Sequence, residues 1–309
     1  MKIKPKRIIF ILSFGLILIG VVAAFLYFHF ARPIGTGPAG PTVARESFSQ
    51  PWSSRQVIFI GLGDSVTAGF GARKGYSYFD RLVKNPVDEY SELNGICLSA
   101  ILPKLLATNL AVSGSTSTEV ANRQLALFPT NDPSVQGIVV LTTGGNDIIH
   151  NYGRTPPREE AMYGATWEQA RPWVENYGLR LEGTIAQIES RFPGGCEIFV
   201  ANIFDPTDGV GDTEGASLPT WKDASRILDA YNLTIKDCAA RHPEVHLIDL
   251  HAAFLGHGIH CTQFWREHFD QRDPHYWLYF NLEDPNERGY DAIRRLFLIE
   301  IANARSRLK

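Results

Sequence analysis

Positive charge is scarce in this chain once its first seven residues are set aside. Lys2, Lys4, Lys6 and Arg7 sit there, and the remaining residues carry 26 basic side chains against 33 acidic ones. That balance excludes nucleic acid as an expected partner. Cysteine is sparse too: Cys97, Cys196, Cys238 and Cys261 are the whole set, and none makes a Cys-x-x-Cys zinc spacing. In an oxidising compartment three complete pairings are open, with Cys196 and Cys238 the preferred pair and buried free thiols the alternative. Internal repeats are absent, as are low-complexity tracts within the folded part. What is present is ample apolar material, 44% of 309 residues, so the chain can bury a full core without help from disulfides or metal.

Long apolar runs are also missing, with one exception. From Ile8 to Phe28 no residue is charged, and Ile, Leu, Phe and Val dominate. A helix of that length crosses a hydrocarbon core of roughly 30 Å. The basic flank precedes it, so the positive-inside rule keeps the N-terminus cytoplasmic and sends the rest outside, periplasmic or extracellular. A cleaved signal peptide competes with a signal anchor, but its apolar region normally spans only ~7–15 residues. The chain therefore divides into a cytoplasmic basic segment (1–7), a transmembrane helix (8–30), a Pro/Gly-rich tether (31–55) and a folded domain (56–309).

Within that domain short apolar runs alternate with helix-period segments, the pattern of βαβ units around a mainly parallel sheet. Strands are expected at 57–61, 108–111, 137–143, 197–203 and 245–249. Val174, Tyr177, Leu181, Ile185, Ile188 and Phe192 recur at spacings of three and four, as a helix laid on a sheet requires. The segment from Asn286 to about Ala304 repeats the pattern and should close the fold. The expected class is a three-layer α/β/α sandwich. In such sheets sites form beyond the carboxyl ends of the strands. Asp64 and Ser65, Ser113 and Gly114, and Asn146 and Asp147 all fall there.

A serine becomes a nucleophile when a tight turn presents it near a base and near donors for an oxyanion. Gly61-Leu62-Gly63-Asp64-Ser65-Val66-Thr67-Ala68-Gly69 supplies a strand end, small residues and Ser65 at a helix start. Asn109-Leu110-Ala111-Val112-Ser113-Gly114 and Thr143-Gly144-Gly145-Asn146-Asp147 follow in order. These three blocks together resemble the SGNH/GDSL hydrolase superfamily. The resemblance runs from Val57 to the C-terminus and is weakest at 152–172 and 205–280. It implies the flavodoxin-like fold of that superfamily and a serine carboxylic-ester hydrolase or lipase, with Ser65 as nucleophile. It also implies an oxyanion hole built from the Ser65 and Gly114 backbone N–H groups and the Asn146 amide, without cofactor or metal.

The family's Asp-x-x-His pair is where this chain departs. Its frame reads Asn281-Leu282-Glu283-Asp284-Pro285-Asn286, so Asp284 holds the histidine position and Asn281 the aspartate position. The expected base is His275 nearby, oriented by Asp273, with His260 and Asp284 the respective alternates. His251, His257, His260, Cys261 and His268 form a further cluster that could bind metal, although loop histidines are the plainer reading. The acidic stretch 205–212 reads as a surface loop, with a substrate-side lid or a calcium loop as alternatives. Trp167, Trp173, Trp221, Trp265 and Trp277 are candidates for sugar stacking, though aromatics more often fill a core. The expected substrate is a small or polymer-borne ester of a carbohydrate or lipid. The competing reading is a non-catalytic envelope-binding domain that lost its histidine.

Overall fold

The computed structural model describes residues 5–308, with the backbone alone for residues 5–11. The side chains of the basic flank therefore lie outside the described residues. The element order is α1 (Pro5–Phe30), β1 (Val57–Gly63), α2 (Ser65–Ala68), α3 (Tyr78–Val83), α4 (Leu98–Ile101), β2 (Leu105–Asn109), α5 (Ser117–Glu119) and β3 (Gln136–Thr142). It continues with α6 (Gly145–Ile149), α7 (Trp167–Ser190), β4 (Cys196–Ala201), α8 (Ala224–Arg241), β5 (Val245–Ile248), α9 (Leu250–Phe254) and α10 (Glu287–Ala304).

All five strands are parallel, in the order β2-β1-β3-β4-β5, the flavodoxin-like arrangement. Alternation along each strand sends side chains to opposite faces. Phe59, Ile138, Val140 and Phe199 join α3, α4, α9 and α10 in one core, while Ile60, Leu62, Val139, Leu141, Ile198 and Val200 join α7 and α8 in the other. The three-layer sandwich expected from the periodicity is what forms. β2 begins three residues before its expected start. It is an edge strand with mostly exposed side chains.

No side chain of α1 from Leu12 to Phe30 is buried in the protein. The segment expected as a tether, in contrast, is strapped to the domain. Pro33 O accepts from Tyr276 N, Thr36 O and Gly37 O accept from Arg288 Nη1, and Ala39 N donates to Asp291 Oδ2. Ala39, Val43 and Phe48 are buried in the core of α3 and α10. Gly and Pro content suggests slack, but a single buried arginine collecting successive carbonyls removes it. All four cysteines are free and buried. Cys238 points from α8 toward Glu182 while Cys196 starts β4 near Glu189 and Glu244, so the preferred disulfide does not form.

Candidate active site

The nucleophile turn is built by exclusion. Gly63 ends β1 at φ +129°, and a Cβ there would lie 2.0 Å from Thr142 O, so only glycine fits. The Gln124 side chain clamps the same residue, accepting from Gly63 N and donating to Gly63 O, both at 2.7 Å. Asp64 caps α2 by accepting from Val66 N at 3.1 Å and also accepts from Thr142 Oγ1 at 2.7 Å. Burial raises the Asp64 carboxyl to about 6 despite those donors, and nearby Asp284 adds to the rise. Ser65 follows as the first residue of α2 and is half-buried.

The oxyanion side comes from the next two strand ends. Gly114, at φ +83°, lies in a turn after β2. Asn146 on α6 is buried, and its Nδ2 donates to Ser115 O at 3.1 Å, which ties α6 to the glycine turn and leaves a second Nδ2 hydrogen. Asp147, fully buried, accepts from Ser117 N at 2.9 Å and fixes the other end of that turn. Burial pushes its carboxyl up to about 7.

The base side differs from expectation. Leu278 and Pro285 form a bridge that closes a short loop, in which Tyr279 N donates to Asp284 O at 2.6 Å. The loop presents Asp284, 2% exposed, to Ser65. Burial raises the Asp284 carboxyl, and the Ser65 hydroxyl and the Asn281 amide hold it down. Asn281 Nδ2 donates to Asp284 Oδ2 at 2.7 Å, while Oδ1 makes no hydrogen bond of ordinary geometry among the described residues. Asn281 Oδ1 in turn accepts from Asp284 N at 3.2 Å. Below the loop, Asn286 caps α10 through Arg288 N and Gly289 N and donates back to Tyr276 O.

His275 does not line the cavity at Ser65. Its Nδ1 pairs with Asp273 Oδ1 at 2.5 Å, so the expected pair forms, but its ring lies against Gly35 of the strap. Asp273 is further held by Arg288 and Trp277 Nε1. The backbone explains the correction: Tyr276 N is committed to Pro33 and Trp277 N to His257 O, which keeps residues 273–277 on the strap side of the loop. His260 is buried, with Asp212 Oδ2 3.6 Å from Nε2, and does not line the cavity at Ser65. His257 stacks on Trp277 at 3.5 Å, and His251 Nδ1 meets Ile203 O.

Among the described residues, the histidine-cysteine cluster brings no three ligand atoms together. Two groups among the described residues bring three ligand atoms close, Glu182, Cys238 and His242, and Glu189, His242 and Glu244. They lie at the opposite end of the strands from Ser65 and are knit as ion pairs, with Arg241 also on Glu182. In the 205–212 loop, Asp205 accepts from Thr207 and Gly209, and Asp208 from Gly256, Gly258 and His260. Carboxylates occupied by backbone donors tie this loop to residues 256–260 rather than forming a calcium site.

A cavity of about 340 Å³ opens at Ser65 and Asn146. Ile148, Ile149, Ile203, Phe204, Trp221, Leu228, Leu250 and Leu282 line it, and Phe280 stands at 81% exposure. Tyr152 OH donates to Glu283 across its walls. Of the tryptophans proposed for stacking, only Trp221 lines it.

A serine on a strand-to-helix elbow, with a glycine turn and an asparagine amide beside it, defines a serine hydrolase of the α/β/α class. The chain belongs to the GDSL-like Lipase/Acylhydrolase family, whose model matches residues 62–292. It is an ester hydrolase of that family. Among solved structures, the extracellular lipase of Streptomyces rimosus is 18% identical with a TM-score of 0.51, the match covering 80% of this chain and 99% of that one. The acetylxylan esterase of Geobacillus stearothermophilus is 19% identical with a TM-score of 0.50, covering 81% and 94%. At that identity these likenesses speak to fold. No curated protein sequence matches this one.

Proposed function

We propose that this protein is a membrane-anchored, outward-facing ester hydrolase in which Ser65 is the nucleophile and Asp284, rather than a histidine, is its base. The observation that carries the reading is the buried Asp284 carboxyl facing the Ser65 hydroxyl with Asn281 behind it. Burial raises the basicity of a carboxylate, which suits it to take a proton.

In the first step Ser65 Oγ attacks the ester carbonyl carbon and its proton passes to Asp284. The Ser65 and Gly114 N–H groups and the Asn146 amide hold the oxyanion, each donor lowering the barrier by about 3 kcal/mol. The protonated Asp284 then gives its proton to the departing alkoxide as the carbon–oxygen bond breaks. Water attacks the acyl-enzyme with Asp284 again as base, releasing the acid and restoring Ser65. Asn281, donating to Oδ2, fixes the Asp284 carboxyl beside the serine. The apolar cavity accommodates the acyl chain.

Hydrolysis of p-nitrophenyl esters of increasing chain length tests this. Wild-type protein should turn over acetate through medium-chain esters, and Ser65→Ala should abolish turnover. Equal background rates in both would favour the non-catalytic alternative, for which the absent histidine is the supporting observation.

A further inference from the structure

We infer that Phe264 and Trp265 form a second membrane contact, which seats the mouth of the Ser65 cavity on the lipid surface and directs the enzyme to esters carried by bilayer lipids. This rests on the anchor and esterase readings above. Three observations combine. First, the chain leaving α1 has no slack: Pro33, Thr36, Gly37 and Ala39 are each held by backbone or buried charged groups of the domain. A free linker of that length would roam about 20 Å, whereas this strap holds the domain at the helix exit.

Second, the end of α1 is already docked on that loop. Phe28 meets Phe264 at 5.5 Å and Trp265 at 5.1 Å between ring centroids, and Thr262 Oγ1 donates to Phe28 O. Phe264 and Trp265 nevertheless remain 62% and 49% exposed. Aromatic rings beside the last turn of a spanning helix lie at headgroup level, where amphipathic rings are most stable. The partner argued for is therefore lipid, continuous with the span itself. Arg266 follows the pair with its Nε on Gln263 Oε1, and Glu267 beside it is exposed.

Third, the cavity adjoins the exit. Arg32, two residues past α1, donates to Gly215 O at 3.0 Å, and Gly211, Thr213 and Ala216 of that same segment line the cavity. A lipid ester in the outer leaflet thus reaches an apolar acyl cavity without leaving the interface, and exposure of its chain to water is avoided.

The full-length protein in phosphatidylcholine vesicles with brominated acyl chains tests the inference. Wild type should float with the vesicles and show tryptophan quenching that Trp265→Phe loses. Phe264→Ser/Trp265→Ser should hydrolyse a lipid ester in the same vesicle about tenfold more slowly while keeping p-nitrophenyl acetate turnover within twofold. Unchanged quenching in Trp265→Phe, or an unaffected vesicle rate in the double variant, overturns the contact with the anchor intact. Failure to float overturns the contact together with the anchor. Floating without p-nitrophenyl acetate turnover removes the esterase reading and, with it, the lipid-ester assignment.

Discussion

The two halves of the active site were assembled under different constraints. The nucleophile half is rigid scaffold: strand ends, a glycine with no room for a Cβ, and a glutamine clamping both backbone groups of that glycine. The base half is a short loop closed by a single bridge, and its chemistry has changed while its shape has not. Asn286 still caps α10, yet the two residues that should be aspartate and histidine are Asn281 and Asp284. Gly63 admits no side chain because the Thr142 backbone packs against it. A loop side chain can be exchanged provided the new group faces the serine with a workable proton affinity.

The sharpest way to break that comparison is to remove the exchanged group. Asp284→Asn should lower kcat by roughly 10³–10⁴. In wild type, the rate should rise with pH through the raised Asp284 carboxyl and be lost as pH falls below it, and this limb should vanish in the variant. Next, Asn146→Ala should cost on the order of 10²–10³ in kcat with KM little changed. Asp147 tests the scaffold itself. Its folded value, about 7, lies above the unfolded 3.8, so its contribution to stability is present below about pH 4 and lost as pH rises through 7. Up to about 4 kcal/mol is involved, and Asp147→Asn should flatten the fall in melting midpoint between pH 5 and 8. Asn281→Asp with Asp284→His rebuilds the family pair and should raise neutral-pH turnover about tenfold, because an imidazole titrates nearer neutrality. His275→Ala, smallest of all, should leave turnover within twofold.

The nucleophile half was legible because its residues carry local signatures: small residues after an apolar strand, then Asp64-Ser65 at a helix start. The same holds for the α/β/α order, which the periodicity of 174–192 and the apolar runs announce. Gln124 gave no signal, since its role depends on meeting Gly63 across the fold. His275 was a reasonable expectation from chain proximity. What decides its position is the strap, whose Pro33 and Gly35 meet residues 275–276 at a separation of more than two hundred residues. The strap was itself read as slack, because Gly and Pro content reports local freedom and not the arginine that gathers its carbonyls. Asp284 was visible as the occupant of the histidine position, but only the closed loop brings it to Ser65.

Labelling by a fluorophosphonate, which reacts only with an activated serine, addresses the pairing of Ser65 with Asp284 most directly. Wild type and His275→Ala should gain the same adduct on Ser65 at similar rates, Ser65→Ala none, and Asp284→Asn should label at least ~100-fold more slowly. Undiminished labelling of Asp284→Asn, or its loss in His275→Ala, would contradict the account.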